Sequence, residues 1–319
     1  MQNINANNMA QATNTILMIR PVAFRMNEQT AVNNYYQKVL DNVLPSTVQA
    51  KALAEFDLFV TKLKQIGITV IVVEDTLNPS TPDSIFPNNW ISFHQSGNVG
   101  IYPMFAENRR LERRDEVLDT LEQNGLLIKN VIDYSSAESE NLFLEGTGSL
   151  VLDRVNRKAY CALSPRANEE LLDEFCEDFE YTPVSFKAYQ TVNNQREVIY
   201  HTNVMMCIAP KFAVVCLDCI DDKKERKNFI NHLKQDGKEI IAISETQVNN
   251  FAGNMLSLYG ANQKEYIIMS ESAFKCLNAQ QKINIEKYAA ILYSNVDTIE
   301  ACGGGSVRCM MAEVFLPKV

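Results

Sequence analysis

One order of strand-like and helix-like segments recurs along this chain about five times. Short β-branched runs between turn residues read as strands, and apolar positions recurring at three and four read as helices. The first unit has a strand over 16–19, an amphipathic helix over 48–66 stopped by Gly67, and a strand over 69–73. The second has strands over 90–93 and 99–103, a helix over 110–124 stopped by Gly125, and a strand over 127–132. A hairpin of 150–153 with 159–163, a helix over 168–179 and a strand over 184–188 make the third. The fourth runs through 204–208, 212–217, a helix over 223–235 and 239–243, and the fifth through 255–259, 266–269, a helix over 272–288 and 290–293. A last strand over 313–316 returns to complete the first unit. Such ββαβ units, each roughly 50 to 70 residues and alike in element order only, predict an α/β protein closed into a ring. An open dinucleotide-binding sheet is not expected, because no GxGxxG follows a strand.

No Pro/Gly/Ser stretch is long enough to divide the chain, so 15–319 reads as a single domain and 1–14, polar and unpatterned, as a flexible N-terminal segment. With 319 residues and 46% hydrophobic content it can bury a large core. A net charge of −9 and a pI near 5.0 offer no basic surface, which excludes nucleic acid and anionic membrane as partners and favours a small molecule. A homo-oligomer is left open. The first residues lack the apolar stretch of a secretion signal, and no later run reaches membrane-span length, so the expected location is cytoplasmic. Eight scattered cysteines suit free thiols in a reducing compartment. The pair Cys216 and Cys219 forms a CxxC, but no second pair completes a tetrahedral metal site, and no metal is expected.

Chemistry concentrates near the C-terminus, where Cys309 closes the run Gly303-Gly304-Gly305-Ser306-Val307-Arg308-Cys309. Glycines permit close backbone approach, Arg308 beside the thiol would favour thiolate, and a following strand would fix it. A buried structural thiol is the plain alternative. Two further motifs stand upstream: His201 in Tyr200-His201-Thr202-Asn203, and Glu145 in Leu144-Glu145-Gly146-Thr147-Gly148. The segment Asn250-Phe251-Ala252-Gly253-Asn254 reads either as part of a site rim or as a structural turn.

A Cys late in the chain, a His well before it and a Glu-Gly earlier still, on five ββαβ units, resemble the guanidine-modifying superfamily of arginine deiminase, dimethylargininase and the amidinotransferases. The resemblance spans about 16–316 and implies a five-bladed α/β propeller, the pentein fold. It implies Cys309 as nucleophile, His201 as general acid and base, and Glu145 as the acid that holds a substrate nitrogen and supports an imidazolium on His201. Asp83, Asn88 and Asn89, in Asp83-Ser84-Ile85-Phe86-Pro87-Asn88-Asn89-Trp90, resemble the segment presented to the substrate head group. Arg166 in Leu163-Ser164-Pro165-Arg166 and Arg109 in Asn108-Arg109-Arg110 look like carboxylate-binding arginines. Asp83 could equally shape a turn, Arg109 belong to an exposed charged run, Arg166 pair with a neighbouring carboxylate, and Glu145 be a loop acid.

In relatives that act on a guanidinium, two aspartates clamp that cation; at those positions this chain carries Asn89 and Asn203. A carboxylate suits a cation, whereas an Asn amide offers an acceptor and two donors and suits a neutral urea. The chain is also similar to a citrulline-utilisation branch sharing the Phe-Pro-Asn-Asn and Gly-Gly-Gly-Ser runs. The expectation is a hydrolase that cleaves a C–N bond of a ureido or guanidino amino acid, with citrulline preferred and no cofactor, since the thiolate supplies the nucleophile. The alternatives are an arginine deiminase or amidinotransferase, and a non-catalytic binding protein of the same fold.

Overall fold

The structure, a computed structural model, describes residues 10–38 and 43–319. It contains five three-stranded sheets of one pattern, in which the middle strand runs antiparallel to the first and parallel to the third. One sheet orders Ala312–Glu313, Thr15–Arg20 and Thr69–Glu74, so the last strand does pair with the first, Ile16 opposite Glu313. The others are Ile91–Phe93, Asn98–Ile101 and Asn130–Asp133; Leu150–Asp153, Lys158–Ala162 and Thr182–Phe186; Met206–Ile208, Phe212–Val215 and Glu239–Ala242; and Leu256–Tyr259, Glu265–Ser270 and Ala290–Ser294.

Helices cross over between the parallel strands, as a parallel connection requires. In Pro45–Gln65, Val48, Ala52, Phe56, Phe59 and Leu63 form the buried stripe, and Gly67, at φ +87°, turns the chain out of it. That stripe packs with Ile16 and Met18 of the strand before it. Lys223–Gln235 starts at Asp222, whose carboxylate accepts from Lys224 N at 2.7 Å and Glu225 N at 2.9 Å.

Two expected helices are broken in two. The one over 110–124 becomes Glu107–Arg110 and Asp115–Gln123, because Glu112 turns inward to pair with buried Arg109. The one over 272–288 becomes Glu271–Cys276 and Ala279–Glu286: Leu277 is extended, and Asn278 with Gln281 forms a capping box that starts a new helix. A hairpin, Tyr189–Val192 with Gln195–Val198, was not expected from its polar residues; Asn193 and Asn194, at φ +49° and +63°, supply its two-residue turn.

Residues 1–9 of the N-terminal segment lie outside the described residues, while 10–14 are held in place. Buried Gln11 donates to Leu152 O and accepts from Arg154 N, both at 2.8 Å, and Thr13 Oγ1 donates to Val314 O at 2.8 Å. Among the described residues all eight cysteines are unpaired, and no helix is long and apolar enough to cross a membrane.

The first strands of several sheets meet: Leu150–Asp153 packs on Met206–Ile208, Met206–Ile208 on Leu256–Tyr259, and Ala312–Glu313 on Ile91–Phe93. Just ahead of each first strand lies a short irregular segment. Three of these, Pro87–Asn89, Gly146–Ser149 and Thr202–Val204, converge, with Gly146–Ser149 touching both others.

Candidate active site

Cys309, His201, Asp83, Asn89, Arg109 and Arg166 line one cavity of about 20 Å³, together with Thr30, Asn34, Phe86, Tyr200 and Gly303 to Gly305. Every one of the candidate side chains is buried. Cys309 is placed by a tight turn in which its N donates to Ser306 O at 2.9 Å, immediately before Ala312–Glu313. Its Sγ accepts from Asn254 Nδ2 at 3.3 Å and from Asn203 Nδ2 at 3.6 Å. Arg308 plays no such part, since its guanidinium donates to Met311 O at 2.9 Å and pairs with Glu313 at 2.7 Å.

His201 opens the turn Thr202–Val204, and its Nε2 meets Glu145 Oε2 at 2.7 Å. Glu145 also accepts from Phe105 N at 3.0 Å and faces Arg166 Nη1 at 3.5 Å. Burial alone would raise the Glu145 carboxyl, but Arg166, His201 and Arg109 outweigh it and hold the group at about 2. Burial dominates at His201 and, with Arg166 and Arg109, lowers it to about 4 despite the opposing pull of Glu145. Burial thus works against the imidazolium expected from Glu145, and a neutral ring would donate its Nε2–H to Glu145. Gly148 makes room for this arrangement, because a Cβ there would lie 2.9 Å from His201 Nδ1 and 2.3 Å from Asn89 Nδ2.

Both members of this pair bind protons more readily once unfolded. His201 contributes stability that is complete above its unfolded value of 6.5 and is lost as the pH falls towards 4; Glu145 continues the loss from 4.5 towards 2. The urea midpoint should fall steadily below pH 6.5, and His201→Asn should flatten the part of that slope between pH 6.5 and 4. An unchanged slope in the variant would show that His201 does not titrate in this way.

The segment Asp83 to Asn89 presents several buried polar atoms without partners: Asp83 Oδ1, both side-chain atoms of Asn88, and Asn89 Nδ2. Asp83 Oδ2 is engaged, accepting from Asn27 Nδ2 at 2.8 Å and Thr30 Oγ1 at 3.1 Å. Burial raises the Asp83 carboxyl, against the pull of Arg109 and its two hydrogen bonds. Asn88 is not among the residues lining the cavity, and Asn203 lies against the sulfur instead of lining it. Arg109, expected to read a carboxylate, is engaged within the protein. It makes a two-pronged pair with Glu112, at 2.9 Å on each side, and donates through Nη1 to Asn89 Oδ1 at 2.8 Å. This orients Asn89 with its amide nitrogen as the free end.

Arg166 lies near the rings of Tyr200, at 4.9 Å, and Phe105, at 5.6 Å. Its Nε and Nη2 both donate to Asn33 Oδ1, the first at 3.0 Å, and Nη2 donates to Thr30 O at 3.0 Å. The stretch 27–38 thus closes over the cavity, held also by Asn34 Nδ2 to Gly303 O at 3.3 Å and by Tyr36 OH to Gln190. None of these strap contacts was legible beforehand, since a run of Asn, Thr and Gln reads simply as a polar loop. Asn254 belongs to the segment 250–254 that reads equally as a site rim or a structural turn, and its place against the sulfur favours the first.

Five like sheets with a Cys, His and Glu gathered at their first strands define the pentein guanidine-modifying superfamily. More narrowly, the chain belongs to the family described as N,N dimethylarginine dimethylhydrolase, eukaryotic, whose model matches residues 20–316. Members of this kind are hydrolases acting on C–N bonds with a catalytic cysteine. No curated protein matches the chain in sequence. Among solved structures it is similar to ArgZ, an arginine dihydrolase from the ornithine-ammonia cycle in cyanobacteria, at 16% identity and TM-score 0.73, over 98% of this chain but 41% of that one. The N-terminal domain of ArgZ, bound to product, matches at 17% identity and TM-score 0.71, over 95% of this chain and 99% of the domain. A dimethylarginine dimethylaminohydrolase adduct with S-methyl-L-thiocitrulline matches at 13% identity and TM-score 0.61, over 94% and 98%. These identities establish a shared fold. The chain spans less than half of the full-length arginine dihydrolase.

Proposed function

We propose that this protein hydrolyses the ureido group of citrulline to ornithine, ammonia and carbon dioxide through an S-carbamoyl intermediate on Cys309. The observation that carries this reading is the orientation of Asn89. With Oδ1 taken by Arg109, the amide nitrogen is left as an unpartnered donor in a buried cavity. A donor matches a ureido oxygen, whereas a guanidinium offers only N–H groups and would leave that donor unpaired at a cost of about 1–3 kcal/mol. Asp83 Oδ1 is a matching acceptor for the terminal NH2.

In this mechanism Cys309 Sγ attacks the ureido carbon while its proton passes to neutral His201, whose Nε2–H stays on Glu145. His201 then gives that proton to the departing nitrogen, the C–N bond breaks and ornithine leaves. A water, deprotonated by His201, attacks the S-carbamoyl carbon; the C–S bond breaks, Cys309 recovers its proton, and carbamate decomposes to ammonia and carbon dioxide. The carboxylate of the amino acid takes the place of Asn33 Oδ1 in the fork of Arg166. A cavity of about 20 Å³ holds little more than one water, so the stretch 27–38 moves aside to admit substrate. The five sheets would be the blades of a single five-bladed propeller over 15–319, a reading supported by their common strand order.

A second reading, hydrolysis of arginine or a methylated arginine, is favoured by the names of the family and of ArgZ and by the buried carboxylate of Asp83. Purified protein offered citrulline, arginine, dimethylarginine and agmatine separately, with ammonia and ornithine measured, should show highest kcat/KM for citrulline. Higher efficiency on arginine would overturn the preferred substrate. Arg166→Ala should raise KM for citrulline by about tenfold to a hundredfold, and an unchanged KM would remove Arg166 from carboxylate recognition.

A further inference from the structure

We infer that Asn254 donates to the negative charge that develops on Cys309 Sγ as its proton passes to His201, completing the active site from the one sheet that contributes no residue to the mechanism above. The inference rests on Cys309 being the nucleophile. Asn89, Glu145, His201 and Cys309 each lie within five residues before the first strand of their sheets, and Asn254, two residues before Leu256–Tyr259, occupies the corresponding place in the fifth.

Asn254 is almost wholly buried, and its orientation is determined on both sides. Its Oδ1 accepts from Arg308 N at 3.1 Å, and one hydrogen of Nδ2 goes to Asn203 O at 3.0 Å. The remaining hydrogen faces Cys309 Sγ at 3.3 Å. Turning the amide over would set its nitrogen against the Arg308 N–H and its oxygen against Asn203 O and the sulfur. A neutral thiol is a weak acceptor and a thiolate a strong one, so a fixed N–H at this distance stabilises the anion selectively. Asn203 Nδ2, at 3.6 Å, is a second and longer donor to the same atom. The charged and titratable groups around the sulfur are Asp83, Arg109, Arg166, His201 and Tyr200 in the cavity, with Glu145 behind His201 and the Arg308–Glu313 pair beside the turn. Of these, Arg308 alone is hydrogen-bonded to Asn254, through its backbone N–H, so with the turn intact a shift in the variant reports Asn254.

The test is the pH dependence of iodoacetamide alkylation at Cys309, read by mass spectrometry of the peptide that carries it, with Cys309→Ala as the blank. It needs no turnover, so it decides the role of Asn254 even if no tested substrate is hydrolysed, a result that would count against the proposed function alone. In Asn254→Ala the half-maximal pH should rise by about one unit. Asn254→Asp keeps the oxygen that accepts from Arg308 N but sets a carboxylate oxygen against the sulfur, and should rise further. A half-maximal pH unchanged or lowered in the Ala variant overturns the inference, whatever happens to activity, because Ala removes the donor without adding charge. Asn254→Ala then distinguishes loss of the turn, which would slow alkylation equally at all pH values, from loss of the donor, which moves the profile.

Discussion

Cys309→Ala is expected to lower citrulline turnover by on the order of 10⁴-fold or more while leaving KM nearly unchanged. The reaction proposed for this site passes through a C–S bond, and alanine leaves no atom to form it. The groups that would bind substrate, Asp83, Asn89 and Arg166, belong to other segments of the chain and keep their partners. No other cysteine can substitute: Cys216 and Cys219, for instance, are packed in the apolar core with Ile220 and Phe229. Ammonia release from citrulline by the variant within tenfold of the parent would rule out the covalent route.

The second large effect concerns the head group. Asn89→Asp should lower kcat/KM for citrulline by about 10²-fold and raise that for arginine, moving their ratio by on the order of 10³-fold. The Arg109 contact at 2.8 Å survives the exchange, because it is made to an oxygen in either residue. What changes is the free end, from a donor to a carboxylate oxygen. Arg109 is already balanced by Glu112, so the substitution adds net negative charge where a ureido oxygen would lie. A ratio that stays put would show that Asn89 does not choose between a neutral and a cationic head group.

The parts of this protein legible in its sequence are those governed by local periodicity. Apolar spacing along 48–66 marked a helix because each buried side chain there faces the same strand, and Gly67 marked its end because the next residue needs a positive φ. The motifs around Glu145, His201 and Cys309 stood out through their order along the chain and its resemblance to the guanidine-modifying superfamily, since each taken locally had a plain structural alternative. Breaks in the helices were harder to see: the inward turn of Glu112 depends on Arg109 being buried, a fact that no window of sequence contains.

Periodicity and residue type sufficed for the repeating order of elements, the return of the last strand to the first, and which residues could do chemistry. Tertiary structure alone decided their company. It engaged Arg109 with Glu112 and Asn89, paired Arg308 with Glu313 instead of the thiol, brought Asn254 to the sulfur and set Asn33 in the fork of Arg166. The reason is physical: a buried polar group must find a partner, and that partner is whichever group the packing of distant segments brings within about 3 Å. Hydrogen-bonding capacity can be read from each residue, but its use is settled only when the chain has closed around it.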